Sequence, residues 1–263
     1  SPQGWPKHPW IATVTDHTGD GMCSGDPADH PSRDASQKGC CKIDVVMMAT
    51  ADIDEYAKET LADWQSYCLQ HGYSLTHYDE QVLPDLHINW SKIELAKRHL
   101  RQSECDWMVV ADADTWVCDR SRRLEEFIGD QPGTDAVFSS DVSVRGGVLI
   151  PLNLLGVWEC RAWVCPNAGF FAVRNSREGQ AFMDEWMELP YGELACLADK
   201  PPRDQLVLWK GLFRKWRARL RLDKRNVLRV IDDFHWWQIK TFGGDPFIAH
   251  DKRLTLRLKR NQK

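Results

Sequence analysis

Between residues 43 and 114 the sequence alternates short apolar runs with amphipathic stretches, and this alternation constrains the fold more than any other feature. Residues 43–50, IDVVMMAT, form an apolar run ending in small residues, the pattern of a buried strand. The next stretch, 54–71, places Tyr56, Ala57, Leu61, Trp64, Tyr67 and Cys68 near helical spacing, and Gly72 supplies the stop. Residues 73–78 read as a second strand. Ser91 suits the N-cap of a helix carrying Ile93, Leu95, Ala96 and Leu100. Residues 107–111, WMVVA, form a third buried strand that ends at Asp112. Strand, helix, strand, helix, strand predicts an α/β domain on a mostly parallel sheet, where ligands gather at the carboxyl ends of the strands. Asp112 and Asp114 fall there.

Residues 41–263 read as one catalytic domain, and residues 1–40 as an N-terminal extension with a loop rich in Gly, Asp and Pro. Residues 11–15 are a possible strand ahead of that loop, but 43–50 leads directly into the first helix and is the better first strand. Within the loop, Asp16, Thr18, Asp20 and Gly21 imitate the opening of a calcium-binding EF-hand; Pro27 stands where its closing Glu belongs, so calcium is not expected. The net charge of -4 offers no global attraction to nucleic acid or to an anionic membrane. No stretch approaches the roughly 20 apolar residues that cross a bilayer, and the first residues do not resemble a signal peptide. The chain begins without Met, which leaves room for a removed anchor and for membrane association through it. The expected location is the Golgi or secretory lumen in a eukaryote and the cytoplasm in a bacterium or virus. Nine cysteines, without zinc-site spacing, leave two readings open: a lumenal protein with disulfides, or reduced and partly buried thiols. Nine basic residues lie between Lys210 and Arg229, interleaved with Leu212, Phe213, Trp216, Leu220 and Leu222. That spacing predicts an amphipathic helix with a solvated basic face, ahead of a nucleic-acid surface.

The chemistry starts from the two aspartates. A D-x-D turn at the exit of a buried strand can hold a divalent cation, and hard carboxylate oxygens suit Mn²⁺ or Mg²⁺. Such a cation neutralises charge that grows on a departing diphosphate. Asp232 and Asp233 beside His235 form a rival acidic cluster, ranked lower because no strand pattern delivers it to a sheet edge. Of the thirteen tryptophans, two or three are expected to stack on sugar rings, with Trp158, Trp163, Trp236 and Trp237 as candidates and the rest in the core.

Several motifs follow in a fixed order: His71-Gly72-Tyr73, Trp90-Ser91-Lys92, Asp112-Ala113-Asp114, Pro166-Asn167-Ala168-Gly169, Asp204-Gln205, and the run 247–250 ending in His250. In that order the chain resembles the retaining GT-A glycosyltransferases of family 34, which contains xyloglucan xylosyltransferases, galactomannan galactosyltransferases and fungal mannosyltransferases. Families resembling glycogenin and bacterial lipopolysaccharide galactosyltransferases share much of the set. The resemblance implies a GT-A fold: a single Rossmann-like, mostly parallel sheet flanked by helices. It implies transfer of a hexose or pentose from a UDP-sugar, ahead of a GDP-sugar, to a hydroxyl of a glycan or glycoconjugate acceptor. It also implies His250 as third metal ligand beside Asp112 and Asp114, Asn167 and Gly169 facing the donor sugar, and Lys92 contacting the donor. Ala49 and Thr50 join the donor-binding set at the end of the first strand. Asp204 and Gln205 fall near the anomeric carbon, where they orient donor and acceptor during same-face attack; Asp204 also suits the N-cap of a helix through 206–208. The family pattern continues with a glycine and a lysine on phosphate, whereas this chain reads Asp251, Lys252, Arg253, so Lys252 or Arg253 takes that role at shifted spacing. Two other classes compete: a carbohydrate-binding protein on a degenerate fold, and a metal-dependent nucleotidyltransferase. The latter needs a Gly-rich basic loop that residues 43–54 lack.

Overall fold

The computed structural model describes residues 41–142, 144–145, 148–149, 164–223, 228–231 and 247–251. The N-terminal loop, the four candidate tryptophans, the 232–235 cluster, Lys252 and Arg253 lie outside them.

Strand β1 (Ile43–Met48) leads through a 3₁₀ turn into α1 (Asp54–His71). Gly72 ends α1 with φ 74°, in the left-handed region that only glycine enters without steric cost, and the N–H of Tyr73 returns to the carbonyl of Cys68 at 2.9 Å. Then come β2 (Ser74–Tyr78), α2 (Ile88–Gln102), β3 (Trp107–Asp112), β4 (Thr115–Val117) and α3 (Leu124–Ile128). The chain continues with β5 (Ala136–Val142), the short pair β6 (Val144–Arg145) and β7 (Val148–Leu149), β8 (Val164–Arg174), α4 (Arg177–Glu188), α5 (Asp204–Val207), β9 (Leu220–Asp223), β10 (Leu228–Ile231) and β11 (Ile248–Asp251).

Six strands form the central sheet in the order β2-β1-β3-β8-β5-β9. All run parallel except β8, which is antiparallel to both neighbours. Because side chains alternate across a strand, β3 feeds both faces. Met108 and Val110 pack with Trp90 and Ile93 of α2 and Phe182 and Trp186 of α4. Val109 and Ala111 pack on the other face with Trp64 and Tyr67 of α1 and Phe127 of α3. Each fully buried side chain of this size contributes about 1.5–3 kcal/mol, so the core fixes the register of β3 and with it the position of Asp112. A second sheet, β10-β11-β4, holds the segment after the D-x-D turn. No helix among the described residues is long and apolar enough to cross a membrane.

Three local expectations are corrected. Helix α2 starts at Ile88 behind His87, whose Nδ1 accepts from the N–H of Asn89; Ser91 is buried inside the helix. Its Oγ accepts instead from the N–H groups of Val82 and Leu83, at 3.1 and 3.2 Å, so the hydroxyl caps the neighbouring loop and not its own helix. Asp204 is the first residue of α5, with Arg203 in the cap position. The basic stretch does not continue as one amphipathic helix. A π-helical turn (Leu208–Leu212) gives way to turns, and Leu220–Asp223 becomes β9 because it pairs in parallel with β5, Ala136 opposite Leu220. The apolar residues still point inward, Leu212 and Phe213 into the core. Arg214 and Arg217 are exposed, and Lys215 pairs with Glu185 at 2.7 Å.

Candidate active site

Asp112 is the last residue of β3, and the turn that follows is tied down on both sides. Thr115 Oγ1 donates to the Asp112 carbonyl at 2.6 Å, and buried Thr60 on α1 donates to the Ala113 carbonyl at 2.5 Å. Trp64 Nε1 donates to Thr115 at 3.1 Å, so α1 clamps the turn. Strand β11 pairs antiparallel with β4, setting His250 opposite Thr115. That register delivers His250 Nε2 to 2.8 Å from Asp114 Oδ1 and 3.7 Å from Asp112 Oδ2. One ligand atom from each of the three residues falls within 4.8 Å of the others. Two carboxylates and an imidazole this close together can hold a divalent cation.

Beside this cluster sits a buried cation. Lys92, 8% exposed, donates to Asp112 Oδ1 at 2.6 Å and to the Ala168 carbonyl at 2.9 Å, and lies 3.4 Å from Asp204 Oδ2. Burial works against its charge, but the carboxylates of Asp112 and Asp204 prevail and hold it above the ordinary lysine range, so it is charged at neutral pH. Asp204 is 2% exposed; burial pushes its carboxyl up, Lys92 offsets part of that push, and Asn89 Nδ2 donates to Oδ1 at 3.3 Å. Trp186 Nε1 fixes its backbone by donating to the Asp204 carbonyl at 3.1 Å.

Residues 167–169 adjoin Lys92 through the Ala168 carbonyl. They lie within β8, which bulges there: Phe138 of β5 faces Phe171, yet Ser140, two residues on, faces Pro166. The extra β8 residues lie buried beside the end of β3, where Ala111 pairs with Phe170. Several peptide groups in and beside the bulge have side-chain partners. Trp209 Nε1 donates to the Pro166 carbonyl at 2.7 Å, Ala168 N–H donates to Gln205 Oε1 at 2.8 Å, Gly169 N–H donates to Asn167 Oδ1 at 2.7 Å, and Ser139 Oγ donates to the Phe170 carbonyl at 2.9 Å.

Among solved structures, the chain is similar to a glycosyltransferase involved in the glycosylation of the major capsid of PBCV-1, with 13% identity, 84% of this chain and 98% of that chain covered, and a TM-score of 0.62. It is also similar to galactosyltransferase LgtC in complex with donor and acceptor sugar analogs, with 12% identity, 82% and 94% coverage, and a TM-score of 0.52. The fold is of the GT-A type. No protein-family model and no curated protein matches this sequence.

In this GT-A sheet the remaining expected residues separate into two groups. Ala49 and Thr50 follow directly on β1, whose last residue, Met48, pairs with Asp112. Ala49 is buried against Ala113, and the Thr50 hydroxyl donates to Asp52. His71, Gly72 and Tyr73 lie at the opposite edge, where β2 begins; His71 Nε2 meets the Arg120 carbonyl at 2.9 Å and Tyr73 bonds Glu125. That motif ties α1 to the 120–125 segment and is remote from the site. Lys92, Asp112, Asp114, Asn167, Gly169, Asp204, Gln205 and His250 come together. Sequence reasoning missed Asn89 and Thr60. Asn89 sits three residues before Lys92 on one helix face, a legible signal, whereas nothing in the sequence marks Thr60.

Proposed function

We propose that this chain transfers a sugar from a nucleoside-diphosphate donor, UDP-sugar in preference to GDP-sugar, to a hydroxyl of a glycan or glycoconjugate, with retention of anomeric configuration. The observation that carries this reading is the meeting of Asp112, Asp114 and His250 beside buried Lys92, at the carboxyl edge of a GT-A sheet. The order of motifs supports a place beside family 34, with residues 41–263 as the catalytic unit.

On this reading Asp112, Asp114 and His250 hold a divalent cation, which supplies Lewis-acid neutralisation of the departing diphosphate when bound. Lys92 holds Asp112 by Oδ1, which leaves Oδ2 on the side of His250. It also brings a fixed positive charge to the side of the site where phosphate charge develops. Asn167 and Gly169 lie at the donor-sugar side, and Lys252 contributes on the phosphate. Asp204 is engaged by Lys92 and Asn89 and almost wholly buried. That placement favours a part for Asp204, with Gln205, in orienting donor and acceptor over a part as the nucleophile of a glycosyl-enzyme. Same-face attack, in which the leaving phosphate accepts the acceptor's proton, is the mechanism this favours.

The test is a melting experiment with UDP and GDP, each with and without Mn²⁺, followed by UDP-sugar turnover in the presence and absence of EDTA. Ligand at 100 times its Kd stabilises the native state by about 2.7 kcal/mol, so a clear upward shift is expected for UDP with Mn²⁺ and none for Asp114→Ala. Full turnover in Asp114→Ala, or no shift with either nucleotide, sinks the reading. A shift with GDP alone overturns the donor preference, and a product with inverted anomeric signals in NMR overturns retention.

A further inference from the structure

We infer that the bulge at residues 167–169 is the positioning frame of the Asp112–Asp114–His250 centre, and that Gly169 is glycine because the ring of His250 occupies the space a side chain would fill. The inference rests on the metal reading proposed above and assigns Gly169 a role different from donor contact.

Two of the three ligands, already delivered by β3 and β11, are also braced by this one bulge. A Cβ built on Gly169 overlaps Cε1 of His250, and lies 2.8 Å from Nδ1 and 3.0 Å from Oδ1 of Asn167. His250 is 2% exposed, so its ring is enclosed by its neighbours. A methyl group at 169 therefore has to displace the ring, and with it the Nε2 that lies 2.8 Å from Asp114 Oδ1. Asp112 is held from the same bulge by a second route: the Ala168 carbonyl accepts from Lys92, and Lys92 in turn donates to Asp112 Oδ1. The level of the bulge is set by Gln205, whose Oε1 accepts the Ala168 N–H at 2.8 Å. Gln205 is thus a positioning residue for a centre that it belongs to only through Ala168 and Lys92. Partners at this remove from a metal commonly change affinity by about 10–100-fold when lost.

The experiment titrates Mn²⁺ into the full chain and reads the free ion by electron paramagnetic resonance, with melting temperatures measured on the same variants without metal. Gly169→Ala is expected to weaken Mn²⁺ binding by at least about tenfold and to lower the melting temperature by about 5 °C, the effect of overpacking a filled core. His250→Ala removes the ring, so Gly169→Ala placed in that background should melt within about 1 °C of His250→Ala alone. Gln205→Leu is expected to weaken Mn²⁺ binding by about tenfold, and Gln205→Glu, which keeps an oxygen for the Ala168 N–H, to restore most of it. Wild-type Mn²⁺ affinity in Gly169→Ala overturns the proposal, as does an equal melting loss with and without the His250 ring. If the wild type binds no Mn²⁺, the metal reading itself fails, and the melting cycle alone decides why residue 169 is glycine.

Discussion

Arg203 stands immediately before Asp204 with φ 54° and ψ −109°, a conformation that glycine adopts freely and an L side chain resists. Its N–H closes a tight turn onto the Lys200 carbonyl at 2.6 Å, and its Nε is buried without a hydrogen-bond partner. Strain of this kind costs about 1–3 kcal/mol and is kept where the surrounding structure imposes it. Arg203→Gly is therefore expected to raise the melting temperature by about 3 °C, read by calorimetry; an unchanged or lower value means that residue 203 carries no such strain. Thr60 makes the opposite case. It is wholly buried, and its hydroxyl donates both to Ala57 and to the Ala113 carbonyl in the middle of the D-x-D turn. Thr60→Val keeps the shape and deletes the donor, leaving a buried carbonyl with one partner fewer. A loss of about 1–3 kcal/mol in urea denaturation is expected, and a loss below about 0.5 kcal/mol contradicts the clamp.

At the scale of elements, β1 and the end of α2 are joined through Asp44, which accepts from His99 Nε2 at 3.2 Å and from Ser103. Burial raises the Asp44 carboxyl, yet the bonds from His99 and Ser103 outweigh it and hold the pKa below the usual carboxylate range. A depressed folded pKa means stability that is present above the unfolded value, about 3.9, and is lost as pH falls through the folded value. Asp44→Asn should accordingly flatten the fall of urea midpoint below about pH 4, and an acid limb as steep as the wild type's argues against the tie. The sequence was most legible where one element decided its own limits. Helix α1 runs from Asp54 to His71 as its periodicity and Gly72 predict, and β3 ends at Asp112. It was least legible where partners decide. Residues 220–223 keep an apolar face suited to a helix but take the free edge of β5, and Ser91 caps a loop it meets only in the fold. The bulge at 167–169 is a mismatch of register between β5 and β8, which no single strand's sequence displays. Asp112, Asp114 and His250 were readable as residue types; that His250 arrives through the pairing of β11 with β4 was not.

Across the whole molecule, the two packed faces of the sheet protect different cysteines from chemistry. Burial pushes the Cys68 thiol up to about 12 and the Cys105 thiol up to about 11, whereas Cys196 is exposed. Since the thiolate is the reacting form, iodoacetamide at about pH 8 should label Cys196 in the native protein, and Cys68 and Cys105 only after unfolding. Peptide mapping by mass spectrometry checks this, and native labelling of Cys68 shows that α1 does not pack as described. The reversed direction of β8 has a separate consequence at the carboxyl edge of the sheet. Because β8 runs against its neighbours, β5 ends at that edge with Val142 and β8 begins there with Val164, and the two pair with each other. That rung acts as a clasp. It closes the β5–β8 ladder on the far side of the bulge, so the bulge beside Asp112 and His250 is held between paired rungs at both of its ends.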